Sequence, residues 1–243
     1  MPSSALEATG SQPDDRTASI PTERGHSRLV RITHTLNSVS FVALVVSGIA
    51  ILIAHPRLYW GEDGYFGLPA LFEFPIETNL SHTGWGRSLH FLAAWVFVIN
   101  GVIYLVSGLA GRHFRRHLLP RREEFAKPSL VAEIRNHLTL RIPRGGAGPR
   151  YSLLQKAAYL FVIFILTPVM ILSGLTMSPA VTAAYPELFT LFGGRQSART
   201  VHFLASAGLV LFLAVHLLMV TLSGFRRQVR AMTVGVRSAD EEV

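Results

Sequence analysis

In the segment RTVHFLASAGLVLFLAVH, Arg199 to His216, two histidines stand fourteen residues apart in a stretch apolar enough for the interior of a membrane helix. Ionisable side chains in hydrocarbon are costly and rare, so a histidine placed there marks function by default. Fourteen residues advance a helix by ~21 Å and turn it by four turns less about 40°, so His202 and His216 project from nearly one face. Two further histidines, His34 and His90, stand near the starts of other apolar stretches. Neutral imidazole is a good ligand for haem iron, and the flat macrocycle needs an apolar slot between helices. Four such histidines can hold two b-type haems, each between two imidazoles. Zinc or copper suits the pattern less, because tetrahedral sites draw ligands that converge from short spacings. A lone intramembrane histidine more often serves a proton relay or a polar helix contact. Four at matching depths point to haem.

Arginine precedes three of the four at i−3, as Arg31-x-x-His34, Arg87-x-x-His90 and Arg199-x-x-His202. Residues i and i+3 share a helix face, so each guanidinium lies one turn closer to water than its histidine. A haem propionate can be met there, since arginine recognises carboxylate bidentately and stays charged at an interface. The alternative is an ordinary arginine snorkelling at a helix end. His55, in AHPRLYWG, is the rival for ligation at the outer end, whereas His26, His82, His113, His117 and His137 are assigned to loops or tails.

The elements that must position these residues follow from composition. The 243 residues are 49% hydrophobic and 16% charged, with a mean hydropathy of +0.36, which excludes an ordinary soluble domain and a disordered chain. Four runs, Ile32–Ala54, Ser88–Ala110, Leu153–Met177 and Thr200–Ser223, are long enough to cross a bilayer, for which about 20 helical residues suffice. The predicted fold is an all-α four-helix transmembrane bundle. Residues 1–27, rich in Ser, Thr, Pro and charge, read as a disordered tail without the features of a signal peptide. Residues 28–235 form the bundle, with a basic segment over 111–152, and 236–243 are a C-terminal tail. There is no cysteine, so disulfides and thiolate-bound clusters are excluded. Of the 23 Lys and Arg residues, only Arg57, Arg87, Arg195 and Arg199 lie in the two connections that follow the first and third runs. Positive charge accumulates in cytoplasmic loops, so both termini are assigned to the cytoplasm. The net charge of +8 follows from that asymmetry and suits anionic lipid rather than nucleic acid.

This topology pairs His90 with His202 at the outer side and His34 with His216 at the cytoplasmic side. Gly48, Gly101, Gly108, Gly174 and Gly208 allow close approach of a helix or a macrocycle. Pro168 is expected to kink the third helix, which carries no ligand and acts as a wall. The outer loop 55–87, with Tyr59, Trp60, Trp85 and four acids, is long for a passive turn and reads as a docking surface. Leu130, Ile134 and Leu138 suggest a short amphipathic helix in the basic segment.

RITHTLN, AHPRLYWG, RSLHFLAAWVFVINGVIYLVSG and FGGRQSARTVHF occur in order and in matching helices, over about Arg28 to Gly235. In them the chain resembles the bacterial di-haem cytochrome b family. That family includes the membrane subunits of nickel-iron hydrogenases and formate dehydrogenases and the cytochrome b subunit of thiosulfate reductase, the type this chain is most similar to. The resemblance implies that His34, His90, His202 and His216 ligate two b haems, in the pairs that topology gives. It further implies a bacterial inner-membrane subunit that exchanges electrons between quinone and an extracytoplasmic partner. HPRLYWG and GGRQSART look most like members that serve a sulfite-oxidase-like molybdopterin protein.

Two function classes stay open: an electron-transfer subunit of an oxidoreductase complex, or a self-contained superoxide:quinone oxidoreductase. Long outer loops favour the first, and a basic outer pocket would favour the second. With electrons exchanged on the outer side, a second haem is useful only if quinone reacts at the other end. The quinone site is therefore expected near the cytoplasmic pair, among Thr33, Asn37, Ser38 and His113 or His117.

Overall fold

A computed structural model describes residues 28–65, 67–111, 153–222 and 224–233, together with Leu119, Val131 and Arg135. The N-terminal tail, His26, His113, His117, His137 and most of the basic segment lie outside the described residues.

Helix α1 (Arg28–Ala54) runs into a short antiparallel pair, β1 (Arg57–Leu58) with β2 (Phe72–Glu73), and then into α2 (His82–Ala110). The third span is α3 (Leu153–Phe161), a π-helical turn (Val162–Leu166) and α4 (Thr167–Thr176). Two short helices, α5 (Pro179–Ala184) and α6 (Glu187–Phe192), lead to α7 (Arg195–Leu222), and α8 (Phe225–Thr233) follows. Four helices are long and apolar enough to cross a membrane, Arg28–Ala54, His82–Ala110, Leu153–Thr176 and Arg195–Leu222. The expected four-span bundle is therefore present.

Several boundaries differ from expectation. Helix α2 begins at His82, so this histidine opens a helix and does not lie in a loop. Helix α7 begins at Arg195, because the Gly193–Gly194 turn, with φ of 67° and 116°, lets the chain reverse directly into it. Pro168 sits at the start of α4, immediately after the π turn. The backbone that Pro cannot hydrogen-bond is thus absorbed by a change of helical type.

The burial pattern is inverted relative to a water-soluble protein. The largest fully buried side chains are Thr176, Thr200, Ser47, Ser173 and Ser197, while Val39, Val42, Val46, Ile49, Val102, Val106 and Leu109 face outward. Lipid tails are as apolar as leucine, so such helices gain from close packing of small residues rather than from sequestering large ones. Close backbone packing lies mainly within two pairs, α1 with α2 and α4 with α7. A Cβ added to Gly86 of α2 would sit 3.0 Å from the Ala50 Cβ of α1, which is how near those two helices come. Lower in the same interface Asn100 Nδ2 donates to the Thr33 carbonyl and to Asn37 Oδ1, both at 2.7 Å.

Candidate haem sites

Toward the end of the bundle that carries the Gly193–Gly194 turn, two histidines from different helix pairs meet. His90 of α2 and His202 of α7 have ring centroids 6.1 Å apart at an interplanar angle of 64°. Two metal–imidazole bonds of ~2 Å each, plus the two half-rings, also sum to about 6 Å. The centroid separation alone matches that of two imidazoles that would share one iron.

Their ring nitrogens are already sorted. His202 Nδ1 lies 3.0 Å from the Met170 carbonyl oxygen, which can only accept, so this nitrogen carries the proton and donates. The Ser173 hydroxyl stands 3.2 Å from the same nitrogen. His90 Nδ1 lies 3.0 Å from Ser47 Oγ, and the His90 imidazole also meets the Leu44 backbone. Each Nε2 is left with a free lone pair, the form in which imidazole binds a metal. The third span, expected to be a passive wall, thus holds one ligand in orientation.

Positive charge gathers at this end. Arg199 is within electrostatic reach of Arg195 and Arg87, and both Arg199 and Arg87 act on His55. Burial first, then these two guanidiniums, holds the His55 imidazole below its ordinary pKa. Arg195 Nε is buried without a hydrogen-bond partner. Like charges collected beside an apolar slot call for an anion, and haem propionates supply two carboxylates. Arg87 and Arg199, the arginines expected to meet propionates, both lie at this end, and Arg195 lies with them. His55 lies among these cations, while the imidazole that faces His202 is that of His90.

An outer-loop clamp fixes the start of α7. The Gly61 carbonyl accepts from the Gln196 and Ser197 amides at 3.0 and 3.2 Å. In return the Gly61 amide donates to Ser197 Oγ at 2.7 Å, and Thr200 Oγ1 donates to the Tyr59 carbonyl at 2.7 Å. The loop therefore satisfies amides that a helix N-terminus leaves open. Phe74 packs edge-on against Phe203, next to His202, with centroids 5.2 Å apart.

At the other end, His216 lies within electrostatic reach of His34. Phe212 stacks on His216 with centroids 6.1 Å apart, and Tyr159 packs edge-on against Phe212. His34 is exposed and His216 half-buried. Gly208, between the two α7 histidines, faces Leu166 of the π turn. Arg31 lines a crevice of about 340 Å³ with Ile32, Thr35, Leu36, Met232 and Thr233, between α1 and α8. Thr33, Asn37 and Ser38 each already have hydrogen-bond partners, Thr33 with Leu29, Asn37 with Asn100 and Ser38 with His34. Among the described residues no three His, Cys, Asp or Glu side chains converge on a metal-sized point.

Residues 25–235 match the family described as prokaryotic cytochrome b561. The chain belongs to that family. It is therefore a membrane cytochrome b, a haem-binding electron-transfer subunit of the bacterial inner membrane. It is also similar to the putative protein-methionine-sulfoxide reductase subunit YedZ1 of Azospira oryzae, with 34% identity over 200 residues, 81% of this chain and 90% of that protein. Sequence reasoning missed Ser47, Ser173 and Asn100. A signal was present for the serines, since Ser-Gly recurs in three of the four spans, at 47–48, 107–108 and 173–174.

Proposed function

We propose that this cytochrome carries two bis-histidine b haems, His90 with His202 near the periplasm and His34 with His216 near the cytoplasm. It would pass electrons from quinol to a periplasmic catalytic subunit. The observation that carries the reading is the apposition of His90 and His202 at a separation that one iron spans, on an α7 whose same face holds His216 about four turns further along. Bound haem supplies one-electron exchange. The protein's own residues hold the imidazoles, present arginines to the propionates and keep water from the slot. Arg87, Arg199 and Arg195 take the outer propionates, and Arg31 serves the inner end.

The relative is named as a subunit of a protein-methionine-sulfoxide reductase. For this chain the corresponding partner is a periplasmic molybdopterin oxidoreductase of sulfite-oxidase-like type that reduces protein methionine sulfoxide. Electrons then run outward from quinol. Quinol exchange belongs at the cytoplasmic end, where the Arg31 crevice combines an apolar floor with a cation and the Thr35 and Thr233 oxygens. Cytoplasmic termini follow from the distribution of Lys and Arg. The guanidinium cluster also favours a second reading, in which superoxide is drawn to the outer haem and oxidised to dioxygen as its electron passes to quinone.

The test is pigment analysis of histidine variants. Two haems per chain are expected in the unmodified protein, with His202→Ala losing the outer haem alone and His216→Ala the inner alone. One haem per chain would sink the pairing. Superoxide consumption by the isolated subunit, abolished in His202→Ala, would select the second reading.

A further inference from the structure

The two outer histidines rest in cradles built alike on different helices. In α1, Ser47 Oγ donates to the Ala43 and Leu44 carbonyls at 2.7 and 3.1 Å, His90 Nδ1 lies 3.0 Å from Ser47 Oγ, and the His90 imidazole also meets the Leu44 backbone. In α4, Ser173 Oγ donates to the Met170 carbonyl at 3.1 Å, and His202 Nδ1 meets both Ser173 Oγ and the Met170 carbonyl. Each imidazole thus addresses a serine and the backbone of the residue three before it. Both serines are 0% exposed. The residue after each is glycine, and its absent Cβ faces the ring: a Cβ at Gly48 would lie 3.9 Å from His90 Cε1, and one at Gly174 3.2 Å from His202 Cε1.

The hydroxyl protons are engaged by the helix, so each serine oxygen offers only lone pairs to the histidine. A Ser–carbonyl cradle therefore favours Nδ1–H, since the carbonyl can only accept. Accepting that proton makes the opposite nitrogen more electron-rich, and outer partners of this kind raise ligand basicity and tune a metal. For haem, such hydrogen bonds are a lever on reduction potential. The inner pair differs, since His216 meets an aromatic ring face rather than a hydroxyl.

We propose that Ser47-Gly48 and Ser173-Gly174 are positioning residues for the outer haem, fixing the tautomer and ring orientation of His90 and His202 and lowering that haem's potential relative to an unsupported pair. This rests on the reading of His90 and His202 as its ligands. The third Ser-Gly, Ser107-Gly108 in α2, has the same internal bond, Ser107 Oγ to the Tyr104 carbonyl at 3.0 Å, but lies toward the other end of the bundle.

The experiment is redox titration and low-temperature electron paramagnetic resonance of the purified full chain carrying Ser47→Ala, Ser173→Ala or both. Haem content should stay at the unmodified value. The outer midpoint potential should rise in each single variant and further in the double, with altered low-spin g values, while the inner haem stays unchanged. Gly174→Ala should lower outer haem occupancy and Gly48→Ala should not, as the two ring distances require. Unaltered outer potential and g values in the double variant would overturn the proposal. Loss of both haems together would overturn it too, since the serines would then serve bundle folding. Failure of the ligand reading is separately visible, because His202→Ala would then retain its full pigment.

Discussion

At the level of single residues, four histidines were legible as candidate ligands because their type, depth and spacing single them out. Their supports were not. Which serine meets which imidazole depends on how far one helix is displaced along another, and the sequence contains no record of that displacement. Asn100 illustrates the same limit. It reads as one polar residue in an apolar run, yet it is 5% exposed and clasps α1 through Thr33 and Asn37. Asn37, expected at a quinone site, has an amide partner in that clasp. Asn100→Ala should lower the melting temperature in detergent, corresponding to ~0.6–2 kcal/mol, the range of side-chain hydrogen bonds between membrane helices. Asn37→Ala should cost less, since the Thr33 bond survives, and the double variant should fall short of additivity because the two share one bond. If Asn37 served quinol instead, its replacement would slow quinol-dependent haem reduction at unchanged stability.

At the level of elements, the spans could be read from long apolar runs, and the short elements could not. Helix α8 has only 9 residues, too few for a hydropathy signal, and the sequence assigned no element to it within 28–235. Its Phe225, Val229 and Met232 recur at i, i+4 and i+7, with Arg226 and Arg230 between them, the pattern of a helix lying in a membrane interface. The clamp between the outer loop and α7 was equally hidden, although GGRQSART marked its site. Gly194 is its tightest point: its φ of 116° disfavours any side chain, and an added Cβ would run into the Gly61 carbonyl. Gly61, with φ of 96°, has open space around its missing Cβ. Gly194→Ala should therefore destabilise by more than the ~1–3 kcal/mol of backbone strain alone, and Gly61→Ala by about that strain. Outer haem should be released before inner haem on heating Gly194→Ala, because His202 lies two turns below the clamp. Identical melting of both variants and the parent would remove the clamp's role.

At the level of the whole molecule, the charge distribution separates two functions on the outer face that the sequence could not distinguish. Glu62, Asp63 and Arg195 all belong to the two connections assigned to the outer side, and by position alone each could meet a partner. In the fold, Glu62 and Asp63 are exposed on the loop that caps α7, beside Trp60, which is 63% exposed. Arg195 instead turns into the guanidinium cluster with its Nε buried. We propose the loop acids and Trp60 as the surface that meets the catalytic partner, with Arg195 assigned to the haem site beneath. Exposed charges steer encounter and act mainly on association rate, an effect that weakens as salt shortens the Debye length to about 8 Å at physiological ionic strength. Glu62→Lys and Asp63→Lys should slow electron delivery to the partner several-fold at low salt, converge on the parent at high salt, and leave haem content and potentials unchanged. Arg195→Glu should do the opposite, lowering outer haem occupancy or shifting its potential at every salt concentration. Stopped-flow oxidation of the prereduced cytochrome by its partner, run across ionic strength beside pigment analysis, separates the two. A salt-dependent rate defect with intact haem in Arg195→Glu would place that arginine on the docking face instead.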